Sequence, residues 1–194
     1  MIYIIGNKIK SDDSGFWGEG EPYSVENIYS IELDKIPPVN YDVHTFKPHS
    51  LTHCESAKHT SNSGKTLDKI LSLNPECFVG DCLVIKFKPF YIQISEKLFI
   101  HKVTKKELSD RIASLCQLRA IPSKIIITTS NYPTTINGYH DPNYILVLDT
   151  EAANYLICLN NFNMFGTTWK SADYNPGHRE RPIHDIIFQK AVIY

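Results

Sequence analysis

What most restricts the fold of this chain is a series of short apolar runs, rich in Ile, Val, Tyr and Phe, that alternate with stretches of helical spacing. The runs read "IYII", "NIYSIEL", "CLVIKF", "KIIITT", "YILVL" and "MFGTTW", and they are bounded by Gly, Pro, Asn and Asp. β-Branched and aromatic residues in runs of this length, closed by turn formers, predict strands. Between them, "TKKELSDRIASLCQL" opens with Thr104 as an N-cap and Glu107 three residues on, a capping box. It brings Leu108, Ile112 and Leu115 or Cys116 to one face. "DTEAANYLICL" offers Asp149 or Thr150 as cap, then Ala152, Leu156 and Leu159 at helical spacing. "RPIHDIIFQKAV" puts a proline in a first turn, with Ile183, Ile187 and Ala191 on one side and His184 and Phe188 beside them. "GKTLDKILSL" fits a further short helix. Interleaved strands and helices predict an α/β or α+β class, a single domain with a mixed β-sheet core flanked by helices.

Composition narrows the function classes. The 194 residues suffice for one domain with a real core. The formal net charge is −1 with Lys and Arg scattered, so no basic face is on offer to displace counterions from nucleic acid. No apolar run approaches the roughly 20 residues of a membrane helix. "MIYIIGNKIK" lacks the basic start and longer apolar stretch of a secretory signal and reads as a first strand. Five cysteines, an odd number without C-x-x-C spacing, predict a thiol-reduced, cytoplasmic protein.

Two phosphate-binding readings fail on spacing. "GFWGEGEP" is no G-x-G-x-x-G between a strand and a helix. "SGKT" at 63–66 lacks the upstream glycine of a phosphate loop, because position 59 is His. The denser chemistry lies in "HSLTHCESAKH", which holds His49, His53, Glu55 and His59. Imidazole and carboxylate are ligand types for zinc, manganese or ferrous iron. In a straight strand His49 and His53 would lie about 13 Å apart, too far for one ion. In a helix Glu55 would leave the face of His49. A shared ion therefore requires the backbone to turn between 49 and 53, which Ser50 and Thr52 permit. The spacing allows a metal site and equally a polar, histidine-rich loop, with Cys54 as a soft ligand or a half-buried thiol.

The same stretch resembles the signature H-x-G-T-H-x-D-x-P-x-H of the metal-dependent cyclase and kynurenine formamidase-like hydrolases. The resemblance continues in order along nearly the whole chain, 1–194. "GFWGEGEPYS" is similar to the family's W-P-G-D-x-P-Y/F segment, "VTKKELSDRI" and "SKIIITTSNY" to its I-T-x-E-D-L helix and V-L-L-R-T-G-W strand. "LDTEAANYLI", "MFGTTWKSAD" and "RERPIHDIIF" are similar to E-A-A-x-W-L, G-I-D-T-x-S-x-D and R-x-x-P-x-H-x-x-L-L. The resemblance implies a swivelling β/β/α-like architecture. It implies His49, His53 and Glu55 as ligands of one divalent metal, zinc or manganese, with Glu55 bridging toward a second held by His184. His59 becomes the general acid/base and Trp17 an aromatic wall for the substrate. Structural roles are expected for Trp169 and Asp173, the latter orienting a ligand histidine through its ring N–H.

The implied activity is hydrolysis of a small amide, lactone or ester, the amide at a C–N bond other than a peptide bond. It uses metal-activated water with His59 moving protons. The implied partners are a small-molecule substrate and further copies of the chain in a homodimer or homotetramer. The sequence departs from the signature at Leu51 for glycine, Ala57 for proline and Glu55 for aspartate. The family's bridging glutamate lies about three turns beyond the histidine matched by His184, and the sequence ends at Tyr194 before that segment. These departures are what a second reading rests on: a catalytically inactive metal-binding or ligand-binding relative with a regulatory or interaction role.

Overall fold

The computed structural model describes residues 6, 9, 21–32, 36–131, 133, 141–174 and 179–194. It divides into two compact units, Met1–His53 and Cys54–Tyr194, each taken by itself below. The expected strand "IYII" and Trp17 lie outside the described residues.

In the first unit, β1 (Tyr23–Tyr29) pairs antiparallel with β2 (Tyr41–Phe46), Tyr23 standing opposite Phe46 and Val25 opposite His44. All six β2 side chains are exposed, so cross-strand contacts stabilise the pair. The Tyr23 ring tilts against Phe46 with centroids 5.1 Å apart, and Asn27 donates to the Asp42 carboxylate at 2.8 Å. The strand expected over "NIYSIEL" is displaced. β1 ends at Tyr29, and the chain turns at Ile31 and Glu32, where the Ile31 N–H is taken by the Asn40 side chain at 3.1 Å. After β2, a single 3₁₀ turn spans Pro48–Ser50.

The second unit carries the α/β core. β3 (Cys82–Phe87), β6 (Lys124–Thr129), β8 (Met164–Thr167) and β9 (Val192–Ile193) form a parallel sheet in the order β3-β6-β8-β9. A mixed sheet has the order β4-β5-β7, with β4 (Ile92–Ser95) antiparallel to β5 (Leu98–Val103), and β5 parallel to β7 (Tyr144–Leu148). The chain passes from one sheet to the other through helices: α2 (Lys105–Cys116) joins β5 to β6, and α3 (Thr150–Cys158) joins β7 to β8. Parallel neighbours cannot be joined by tight turns, so such crossovers are obligatory. α4 (Pro182–Ile187) lies between β8 and β9, and α1 (Leu67–Leu73) precedes β3.

Alternation sorts the parallel sheet into two faces. Ile85, Ile125, Ile127, Phe165 and Ile193 enter one core with Leu108 and Ile112 of α2, Leu156 of α3 and Ile187 of α4. Ile126, Met164 and Val192 face a smaller cluster that Leu67 and Ile70 of α1 cover. Gly166 permits the close approach there, since a Cβ would lie 2.6 Å from Ile126 Cγ1. The helix starts follow the expected chemistry. Thr104 accepts from Glu107 N at 3.2 Å, and Asp149 accepts from Ala152 N at 2.6 Å. The helix expected over "RPIHDIIFQKAV" is shorter than its pattern, ending at Ile187 before the turn that feeds β9. Among the described residues no helix is long and apolar enough to cross a membrane.

Candidate functional site

The backbone turn that a metal reading requires is present in the first unit. The 3₁₀ turn at Pro48–Ser50 and the bend at Leu51 and Thr52 fold the chain back, so the His49 and His53 rings meet edge to face, centroids 5.1 Å apart. His53 Nδ1 lies 2.7 Å from the Leu51 carbonyl, which fixes the ring. A donor to that carbonyl makes Nδ1 a protonated nitrogen.

In the second unit, Glu55 is pinned by its backbone. It forms an antiparallel bridge to Ile193, donating at 2.7 Å and accepting at 3.1 Å. This locks its side chain beside the last strand of the parallel sheet. His59 follows four residues later at the end of a 3₁₀ turn, Ala57–His59. Gly64 makes that turn possible by packing directly on it: a Cβ at 64 would lie 2.2 Å from the Ala57 carbonyl carbon. The glycine of "SGKT" therefore serves close backbone packing, not phosphate.

The Glu55 carboxylate is shared by two imidazoles. Oε1 lies 3.4 Å from His59 Nε2 and Oε2 lies 3.2 Å from His184 Nε2, with the two rings 5.9 Å apart. His184 is buried in the first turn of α4, and its other nitrogen, Nδ1, is hydrogen-bonded to Asp173 Oδ2. Asp173, 2% exposed, also takes the backbone N–H of Ile183 at 2.9 Å and of His184 at 3.4 Å. These are the first N–H groups of a helix whose N-cap, Arg181, makes no side-chain cap. One carboxylate thus caps α4 and orients its histidine.

The electrostatics follow from this stacking. For His184, burial disfavours the charged ring, but the bonds to Asp173 and Glu55 outweigh it and raise the imidazole above its ordinary value. For Asp173, burial acts to raise the carboxyl. The His184 ring and the two helix N–H groups override this and hold it below the usual carboxylate range. Burial, and then the Glu55 charge, push the Cys54 thiol up to about 12, which fits a half-buried thiol more than a ready thiolate.

Of the residues singled out in the sequence, the structure brings Glu55, His59 and His184 together in one unit and His49 and His53 together in the other. Trp17 lies outside the described residues. Trp169 is buried beside Ile100, Ile145 and Val147, a packing role. Imidazole nitrogens around a carboxylate are a donor set that a divalent cation accepts, so the chemistry of these side chains fits a metal. Sequence reading missed Lys124, whose only visible signal is a charge opening an otherwise apolar run.

No protein-family model matches the chain, and no curated protein matches it. Among solved structures, isatin hydrolase A from Labrenzia aggregata bound to benzyl benzoate is similar over 97% of this chain and 77% of that one, with TM-score 0.62 and 18% identity. Isatin hydrolase A from Ralstonia solanacearum is similar over 90% of this chain and 69% of that one, with TM-score 0.55 and 16% identity. At these identities the likeness is one of fold: the chain is folded as these two isatin hydrolases are.

Proposed function

We propose that the protein is a metal-dependent hydrolase of a small amide, at a C–N bond other than a peptide bond, or of a small lactone or ester. The observation that carries this reading is the Glu55 carboxylate, with one oxygen against His59 and the other against His184, and Asp173 behind His184. A surface loop would hold such groups in water; here His184 and Asp173 are each 2% exposed, beside a fold that two isatin hydrolases share.

In this reading His49, His53 and Glu55 hold a zinc or manganese ion. His184 serves a second ion through Nε2. Such an ion supplies an acidified water and polarises a substrate carbonyl. Asp173 keeps His184 Nδ1 engaged so that only Nε2 faces Glu55. His59 is the most solvent-accessible of the three side chains that meet at Glu55, at 29%. That exposure suits an imidazole that takes a proton from water and delivers it to a leaving nitrogen or oxygen. Trp17 is the proposed substrate wall.

The test is divalent metal content per chain together with hydrolysis of isatin, formanilide and an aryl lactone by the metal-loaded protein. His53→Ala and Glu55→Gln are expected to lose metal. His59→Ala is expected to keep metal and lose turnover by about 100-fold or more, the usual contribution of a positioned acid/base. A protein that takes up no metal after reconstitution would overturn the reading.

A further inference from the structure

A second feature lies at the amino ends of the parallel strands. The register aligns Cys82, Lys124, Met164 and Val192 in one row across β3, β6, β8 and β9, at the amino ends of the strands. Three of the four are apolar, and the fourth is a lysine only 5% exposed. Its ammonium lies over Gly80, where an added Cβ would be 3.5 Å from Nζ. Among the described residues its one hydrogen-bond acceptor is the Ser123 hydroxyl, at 3.2 Å. Burying an ammonium without a counter-charge costs several kcal/mol, so the position calls for a compensating group.

This lysine borders a cavity of about 870 Å³, within the size range of small-molecule sites. Glu76 and Asp81 also border it, but both are exposed and neither pairs with Lys124. Lys190 is already committed to the carbonyls of Ile157 and Leu159. The buried Oδ1 of Asn163, another lining residue, has no hydrogen-bond partner among the described residues. The cavity thus offers one buried cation, one hydroxyl beside it and one acceptor awaiting a donor, with Ile70, Phe162 and Phe188 as apolar wall.

We infer that this cavity is a second small-molecule site, which binds an organic carboxylate that also bears a hydroxyl or amine. The carboxylate meets Lys124 and Ser123, and the donor meets Asn163 Oδ1. Lys65 also borders the cavity but is exposed, so Lys124 is the buried ammonium, and with the Ser123 hydroxyl beside it the pair suits a planar monoanion. The site is independent of any metal.

The inference is tested by calorimetric titration of the whole chain with mandelate, phenylacetate (which lacks the hydroxyl) and inorganic phosphate at constant ionic strength. Mandelate is expected to bind saturably and more tightly than phenylacetate, with phosphate weakest. Lys124→Met is expected to weaken mandelate about tenfold or more, as loss of a charge-assisted bond does. Ser123→Ala, a milder change, is expected to weaken it less while leaving the circular dichroism unchanged. Asn163→Leu is expected to erase the preference for mandelate over phenylacetate. The same affinity in metal-stripped protein supports the assignment; affinity lost with metal would place the ligand near Glu55 and overturn it. Absence of saturable mandelate binding, an undiminished affinity in folded Ser123→Ala and Lys124→Met, or tighter binding of phosphate would likewise overturn it.

Discussion

Two buried histidines of this molecule meet carboxylates, and they are built differently. His101, on β5, has Nε2 3.2 Å from both Glu107 oxygens, while its Nδ1 accepts the Phe90 N–H at 3.3 Å. One nitrogen donates and the other accepts, which a neutral imidazole satisfies completely. His184 has a carboxylate oxygen against each nitrogen. A neutral ring can answer only one of them, so the arrangement demands a second proton or a metal ion. The partner of the second nitrogen separates a histidine that fastens a strand to a helix from one that calls for a second proton or an ion.

Removing Asp173 breaks the comparison most severely. Asp173→Ala leaves the ring and two helix N–H groups without their acceptor, and is expected to cost about 3–5 kcal/mol in denaturant unfolding, the usual cost of breaking a buried pair. Glu55→Gln keeps the shape but halves the contrast. Beyond its expected metal loss, it should lower stability by about 1–3 kcal/mol in the same measurement, as for a lost bond to a charged group. At the other histidine, His101→Phe removes the link to Glu107 and leaves the Phe90 N–H unanswered. A loss of about 1–2 kcal/mol is expected, with metal content unchanged by elemental analysis. The smallest effect is expected from Thr104→Ala, which frees the Glu107 N–H at the start of α2 for about 1 kcal/mol. Equal losses at His101 and Asp173 would show that the two sites are the same kind of pair.

Much of the second unit was legible residue by residue. "CLVIKF", "KIIITT" and "YILVL" coincide with β3, β6 and β7, because strands inside a covered sheet must be apolar over most of their length. β2 was not legible. Its six residues are all exposed, and only pairing with β1 makes "YDVHTF" a strand. The hairpin of β4 and β5 carries alternation, but "IQIS" is exposed throughout and leaves no core signature. At the site, the spacing of His49, His53, Glu55 and His59 announced metal-type chemistry locally. The contact of Glu55 with His184 spans 129 residues, and no local pattern encodes it; the resemblance to a family supplied that pairing. Lys124 stayed hidden because a lysine opening a strand ordinarily reaches water. Only its alignment with Cys82 and Met164 buries it.

The interleaving of the two sheets has a consequence for how the chain must fold. The parallel sheet collects strands that begin at Cys82, Lys124, Met164 and Val192, while β7 departs to the other sheet between the second and third. No neighbouring pair within it is joined by a hairpin, so each pairing must close a long loop before any ladder bond rewards it. High contact order of this kind slows the search and leaves apolar strand edges uncovered while it proceeds. Because β9 is the partner of Glu55, the carboxylate reaches its place only once the final strand has docked. Assembly of the site therefore waits on that docking, and a chain stalled before it carries the histidines without the geometry that joins them.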